Sequence, residues 1–332
     1  MRFIIGFALV AALAWAGYWW IGARGMEAAF TGWFDAREAE GWQAEVSALE
    51  VNGFPNRFDT VLTEPRLADP GTGLGWQAPF LQFLSLSYRP TQVIAAFPQT
   101  QTVLTPVGDY TLETTEMQAS LFLGASTRLP LHRTTLVAQA PVLRADDWQA
   151  QADTYRMAMY ETEGGVNTYD LGLEMTALVL PEALQARVDP ADLLPAALDV
   201  LRLDAQVAFD AQWDIGALET ARPQPTRIAL REARGQWGDV MLRATGTLEM
   251  DARGMPTGKI DVKAANWRTM LAVARRSGAL PESVADLMER GLEGLSRLSG
   301  RSDTLDVPLT FDRGSVRIGF IPLGQTGPIR LR

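Results

Sequence analysis

The chain lacks cysteine altogether and has a single histidine among 332 residues. Without cysteine it has no disulfide, no thiolate nucleophile and no thiolate-held zinc or iron–sulfur cluster. The histidine, His132, cannot form a histidine metal cluster alone, and its position after Pro130 and Leu131 predicts a loop or surface residue. No nucleophile motif of the G-x-S-x-G kind accompanies it, so a catalytic His132 is the less favoured interpretation.

Lysine is almost as scarce, since Lys259 and Lys263 are the only two. Both fall on a predicted strand and are expected to face solvent, which does not suit a Ser–Lys dyad. With 30 basic and 39 acidic residues the formal net charge is −9, and there is no basic run. Such a chain is a poor partner for nucleic acid or for anionic lipid headgroups bound by charge alone. Its 47% of hydrophobic residues is enough to bury a core.

Pairs of carboxylates are the remaining candidates for chemistry. They are Asp146 with Asp147, Glu161 with Glu163, and Glu113 with Glu116. Neighbouring carboxylates can act as acid and base or hold a cation. Each pair, however, falls at a predicted turn or strand end, where solvation explains it, and no D-x-[DN]-x-[DN]-G loop is present. We therefore predict no catalytic, cofactor-binding or metal-binding residues, no cofactor and no enzymatic activity.

One long apolar run begins at Phe3 and ends at Ile21. At a rise of about 1.5 Å per residue it forms a helix of about 28 Å, roughly one hydrocarbon core. Tyr18, Trp19 and Trp20 supply the amphipathic rings expected at headgroup depth. We predict that residues 1–24 are a single-pass anchor in the inner membrane. The short N-terminal tail predicts that the bulk of the chain lies in the periplasm.

A cleavable signal peptide is the alternative to this anchor. Residues 12–14 and 14–16 both read Ala-x-Ala, the small-residue pattern of a cleavage site. The apolar and aromatic residues continue to Ile21, beyond the usual length of a signal's hydrophobic region, which favours the anchor. A buried core helix is the least favoured interpretation at this position.

After the anchor, alternating segments broken by glycine and proline predict many short strands. Apolar residues at helical spacing from Met26 to about Gly41 predict an amphipathic helix that packs on the sheet or lies on the bilayer. The clearest sheet is a meander over 201–265. The predicted class is α+β, dominated by curved antiparallel sheets with a few packed amphipathic helices. These form one domain over 25–332 or two lobes that divide near 181–200.

Apolar stripes predict a helical hairpin over 266–298. Asn266 suits the N-cap of its first helix, Gly278 the C′ position, and Pro281 the first position of the second helix.

Other segments are less regular. Prolines predict short helices at 181–184 and 190–194, whereas residues 148–160 fit a helix or a strand. The glycines of 67–75 lack the G-x-G-x-x-G spacing of a phosphate site, so we predict a loop there.

Five stretches resemble a known family. They are residues 39–42 (AEGW), 53–59 (GFPNRFD), 84–90 (LSLSYRP), 264–267 (AANW) and 306–311 (DVPLTF). On these stretches the chain is similar to the uncharacterised proteobacterial domain-of-unknown-function family numbered 2125, over nearly all of its length after the anchor. The resemblance implies an envelope location and a β-rich fold, and it carries no activity.

A second, local resemblance covers residues 244–260, whose rhythm is G-x-L, then D-x-x-G, then G-x-I. It is similar to hairpins in AsmA-like envelope proteins, and it implies inner-membrane anchoring and a part in lipid movement between membranes.

These features favour a non-enzymatic, membrane-anchored periplasmic protein that binds a hydrophobic ligand or assists envelope lipid handling. The alternative is a scaffold or assembly factor for an envelope protein complex. In that case a sheet edge or the 266–298 hairpin is the protein interface.

Overall fold

The computed structural model of the protein describes residues 1–219, 221–278, 286, 289, 303–319 and 321–331. The chain forms two compact units. The first consists of Met1–Ala125 and Thr134–Asp147, and the second of Ser126–Arg133 and Trp148–Arg332. The predicted choice between one domain and two lobes near 181–200 stays a prediction, because a compact unit is not by itself an independently folding domain.

Four helices occur within the described ranges. They are α1 (Arg2–Ala39), α2 (Glu182–Val188), α3 (Gly216–Glu219) and α4 (Trp267–Arg276). Helix α2 confirms the helix predicted at 181–184, and α4 is the first helix of the predicted hairpin. The helix predicted at 190–194 is wrong: the segment forms turns, since Asp192 has φ of 51° and prolines lie at both ends. The second hairpin helix lies outside the described residues, apart from Asp286 and Glu289.

The first unit contains short antiparallel strands. They are β1 (Gln43–Glu45), β2 (Ala48–Asn52), β3 (Arg57–Thr63), β4 (Arg66–Asp69), β5 (Leu74–Gln77), β6 (Phe80–Leu86), β7 (Arg89–Ala96), β8 (Thr100–Thr105), β9 (Gly108–Glu113), β10 (Glu116–Leu123), β11 (Leu131–Gln139) and β12 (Val142–Arg144). Strand β11 contributes residues to both units. The strands of the first unit pair in two ladders, β2–β3–β6–β7–β10 and β1–β4–β5–β8–β9–β12.

The chain crosses from one ladder to the other at short interruptions. Pro65, Pro79, Pro98 and Pro141 stand at four of these crossings. Proline has no N–H to donate, so it interrupts a ladder where it stands. The prolines therefore allow one long meander to form two ladders, and the antiparallel, β-dominated class predicted from the sequence is confirmed.

The core of the first unit lies where both ladders meet the end of α1. Phe34 of α1 is buried with Ala44, Leu62 and Leu81, and Trp33 packs beside them. The helix predicted from Met26 therefore packs on the sheet of its own unit.

The second unit is a meander of longer strands. They are β13 (Gln149–Gln151), β14 (Thr154–Glu161), β15 (Thr168–Val179), β16 (Ala197–Phe209), β17 (Pro225–Trp237), β18 (Val240–Met250), β19 (Pro256–Ala265), β20 (Thr304–Asp312), β21 (Ser315–Ile318) and β22 (Ile321–Gln325). From β14 onward each strand pairs antiparallel with the next. The predicted sheet over 201–265 is confirmed, and residues 148–160 are strands.

The turn between β18 and β19 is held by Asp251. Its Oδ1 accepts the backbone N–H of Met255 at 2.9 Å and that of Arg253 at 2.8 Å. These hydrogen bonds lower the pKa of the Asp251 carboxyl, and the one from Met255 has the larger effect. The positive charges of Arg253 and Arg330 add to the effect.

We expect Asp251→Asn to lower the unfolding temperature at neutral pH and to have little effect in acid. Because the folded pKa lies below the unfolded one, the carboxylate stabilises the fold above its unfolded pKa, and this stabilisation is lost as pH falls through the folded pKa. Thermal unfolding of both proteins over a pH series tests this, with the exposed Asp147→Asn as control. A difference that persists unchanged into acid would contradict it.

Candidate functional site

One face of the second unit's sheet is apolar from strand to strand. Residues paired in an antiparallel ladder point to the same side of the sheet. From β14 to β20 the register joins one residue of each strand into a row: Met157, Leu173, Leu203, Ala233, Ala244, Val262 and Val307. The adjacent row on the same side is Tyr155, Met175, Leu201, Gly235, Leu242, Ala264 and Leu305. We call these two rows the apolar face.

The opposite face of the same strands carries ion pairs. Arg231 contacts Asp170 and Asp204, each at 2.7 Å. The hydrogen bond to the Asp204 carboxylate is the main reason that the pKa of Arg231 is raised, and the bond to Asp170 adds to it. Arg243 pairs with Glu232 at 2.9 Å. One side of the sheet is therefore suited to water, and the other is not.

Two clusters cover the ends of the apolar side. At one end Tyr169 is fully buried with Ala205, Val207 and Phe209, and Trp213 packs on the Phe209 ring at 5.5 Å. At the other end α4 covers Ala264 and Leu305 with the side chains of Trp267 and Leu271. Apolar and polar residues alternate along each strand, and this pattern predicts that the apolar side of the sheet is buried.

Between the two clusters the apolar side chains remain accessible in the part of the chain that the structure describes. Leu203 is 38% exposed and Leu242 is 46% exposed, and Met157 is also exposed. Large apolar side chains grouped on one sheet surface, rather than scattered, mark a surface that binds something.

A cavity of about 520 Å³ adjoins this exposed stretch, between α2, α4 and strands β17 and β18. The described residues that line it are mostly apolar: Leu184, Arg187, Val188, Leu194, Trp237, Val240, Met270, Val273, Ala274, Ser277 and Gly278. Val240 and Leu242 are two residues apart on β18 and so point to the same side. The cavity therefore opens beside the apolar face, and Arg187 is the only charged residue among its described lining.

Hydrogen bonds fix one wall of this cavity. The indole N–H of Trp237 donates to the Pro195 carbonyl at 2.6 Å, and the Leu194 backbone N–H donates to Asp189 Oδ2 at 2.7 Å. The cavity lining comes from three separate parts of the sequence, 184–194, 237–240 and 270–278, which is why no local motif indicated it.

The residues considered for chemistry lie elsewhere. His132 is exposed as predicted, but it stands on β11 rather than in a loop, and its Nδ1 is 2.5 Å from Glu161 Oε2. Glu113 pairs with Arg144 at 3.1 Å. Within the described ranges no group of three or more His, Asp and Glu residues could hold a metal ion.

Helix α1 is long and apolar enough to cross a membrane. The sequence suggested a tether of about four residues between the anchor and the amphipathic helix, and this is wrong. The helix runs unbroken from Arg2 to Ala39, because residues 22–25 contain no proline and neither Gly22 nor Gly25 takes the left-handed conformation that ends a helix.

The apolar part of α1 also contacts the first unit. The indole N–H groups of Trp15 and Trp19 donate to the carbonyls of Pro55 at 2.9 Å and of Arg57 at 2.7 Å. The Tyr18 hydroxyl donates to the Ser87 carbonyl at 2.5 Å. Tyr18 and Trp19, two of the three aromatic residues predicted at headgroup depth, are therefore bound to the first unit itself.

These elements define a class of β-rich protein, which has one N-terminal helix that could span a membrane and one broad apolar sheet face. Within that class the chain belongs to the family described as an uncharacterized protein conserved in bacteria (DUF2125), whose match covers residues 19–327. The resemblance to family 2125 is thereby confirmed, and the local resemblance to AsmA-like proteins stays a prediction. A comparison with the curated proteins gives no match.

Proposed function

We propose that this is a non-enzymatic protein, anchored in the inner membrane with its bulk in the periplasm, that binds the acyl part of an envelope lipid in its second unit. The observation that carries the proposal is the exposed stretch of the apolar face, which includes Leu203 and Leu242, together with the cavity beside it. Covering apolar surface is favourable by about 25 cal/mol per Å². A lipid chain laid on this face would gain that free energy.

The cavity suits such a ligand in size and chemistry. Its volume of about 520 Å³ lies within the range of roughly 300–1,000 Å³ that is usual for ligand pockets. The Arg187 guanidinium beside the apolar lining favours an anionic headgroup, because arginine pairs with carboxylate or phosphate through two parallel hydrogen bonds. We therefore favour fatty acids and anionic phospholipids over neutral lipids.

The contacts of α1 support a retained anchor over a cleaved signal peptide. Cleavage after residue 16 would remove Trp15, which donates to the Pro55 carbonyl, and cleavage after residue 14 would leave Trp15 at the new N-terminus without the helical turns that precede it. A retained α1 keeps the protein at the source of its lipid. The scaffold alternative depends on a sheet edge or on the 266–298 hairpin, whose second helix lies outside the described residues apart from Asp286 and Glu289, and it stays a prediction.

We expect the full chain, purified in detergent, to carry bound lipid that is detected by extraction and mass spectrometry, and Ala274→Trp to carry less. Ala274 lines the cavity, so an indole there occupies the space of the ligand. The matched control is Arg276→Trp, because Arg276 is exposed on the same helix and does not line the cavity.

Lipid retained around α1 is common to all three proteins, so the difference between the variants reports the cavity alone. Equal lipid in Ala274→Trp and Arg276→Trp, with no transfer of lipid between vesicles, would contradict the proposal. A stoichiometric protein partner found under those conditions by crosslinking in cells would support the scaffold instead.

A further inference from the structure

We propose that two turns of the first unit, residues 53–56 and 86–88, insert into the bilayer surface beside α1 and hold the unit against the membrane. The inference rests on α1 lying in the bilayer and does not depend on lipid binding by the second unit. The interaction surface is formed by Phe54, Leu86 and Tyr88. Its partner is the lipid headgroup and upper acyl region.

The two turns are joined to each other and to the apolar part of α1. The Phe54 ring packs edge-on against Trp19 with centroids 5.4 Å apart, and the Phe58 ring stacks on Trp19 at 6.0 Å. The Ser87 backbone N–H donates to the Asn56 carbonyl at 2.9 Å, which ties one turn to the other. The depth of α1 in the membrane therefore fixes the depth of both turns.

The length of the apolar run places this depth inside the membrane. The run ends at Ile21, but contact with the turns begins at Trp15, six residues earlier. At about 1.5 Å per residue, the turns lie alongside the last ~9 Å of the run. A run of about 28 Å needs all of its length to cross a core of about 30 Å. The turns therefore lie at or within the boundary between headgroups and acyl chains.

The turns are built for such a boundary. Phe54 and Tyr88 are each 58% exposed, and Leu86 is also exposed, so each turn presents apolar or amphipathic side chains outward, beside the exposed amide of Asn56. Arg89 follows Tyr88 and is exposed, and an arginine there can reach headgroup phosphates.

Several backbone polar groups at the turns are also paired internally. Pro55, Arg57 and Ser87 all give their carbonyls to aromatic N–H or O–H groups of α1. The Arg57 N–H donates to the Gly53 carbonyl at 2.9 Å. Unpaired backbone groups cost several kcal/mol in a medium without water, so this pairing is what insertion requires.

The absence of native cysteine provides a direct test in the full chain, reconstituted in phosphatidylcholine–phosphatidylglycerol vesicles. Phe54→Cys and Tyr88→Cys are each labelled with an environment-sensitive fluorophore, and quenching by a lipid-borne nitroxide is compared with quenching by aqueous iodide. The matched control is Val107→Cys, since Val107 is an 84% exposed apolar residue in another turn of the same unit. Leu9→Cys, in the middle of the apolar run, reports whether α1 is embedded.

We expect lipid-borne quenching at positions 54 and 88 that is several-fold stronger than at Val107, with weaker iodide quenching. If lipid-borne quenching occurs at position 9 but is no stronger at positions 54 and 88 than at position 107, this proposal is overturned and the anchor is left intact. No lipid-borne quenching at any of the four positions would overturn both. The exposed Tyr88 keeps the test decisive if Phe54→Cys disturbs the packing on Trp19.

Discussion

Leu242→Glu is expected to weaken binding of a fluorescent fatty acid by about 100-fold, which corresponds to nearly 3 kcal/mol. Leu242 is 46% exposed, so in the free protein a glutamate at this position can keep its carboxylate in water. An acyl chain laid along the apolar face would remove that water, and burial of an unpaired charge costs several kcal/mol. The substitution therefore raises the free energy of the bound state and does not destabilise the folded protein.

The matched control for this variant is Thr247→Glu. Thr247 lies on the same strand but pairs with Lys259 on the opposite, polar face, where an added carboxylate is solvated beside a cation. Fluorescence titration gives the affinities, and circular dichroism confirms that both variants fold. Equal affinity of the two variants would show that the apolar face does not hold the ligand.

Gly22→Leu is expected to release α1 from the first unit and to destabilise that unit by about 1–3 kcal/mol, the usual cost of overpacking. A β-carbon at Gly22 would stand 2.5 Å from the tip of the Phe58 ring. Phe58 is buried and is held between Tyr18 and Trp19, so it has no free space into which to move. The side chain of the leucine must therefore push the helix away from the turns.

Gly25→Leu separates this effect from helix propensity. Gly25 lies one turn further along the same helix, and a β-carbon there meets nothing within 4 Å. Leucine is favoured over glycine in a helix by up to about 1 kcal/mol, so Gly25→Leu should be neutral or stabilising. Hydrogen exchange at Ser87 and Arg57 and the thermal unfolding of the full chain distinguish the two variants. Similar exchange rates in both would argue against docking through Gly22.

The parts of the fold that could be predicted are the elements that a pattern of neighbouring residues determines. Alternation such as Leu201, Leu203, Ala205 and Val207 indicates a long strand, because only one face of it is buried. By its sequence pattern alone the segment from Trp42 to Val51 reads as one strand, but the structure divides it into β1 and β2, which pair in different ladders. Residues 67–75, predicted as a loop, include parts of β4 and β5, with a turn between them.

The candidate site was less predictable than the fold because it depends on register. Each strand of the meander showed its own apolar positions, but whether Leu203 lies beside Leu173 and Ala233 is decided by pairing and by the bulge between Leu230 and Ala233. A shift of one residue would move every side chain to the other face. The membrane surface proposed for Phe54 was hidden for a related reason, since Trp19 and Phe54 are distant in sequence.

The pairing order of the strands also bears on how each unit acquires its structure. In the second unit β15 to β19 each join the strand that was made just before, so the sheet can grow one hairpin at a time as the chain emerges during synthesis. The first unit joins β3 to β6 and β9 to β12, and its ladders close only when later segments are available. Contacts between distant segments slow folding. The first unit, which includes α1, should therefore be the slower of the two to mature.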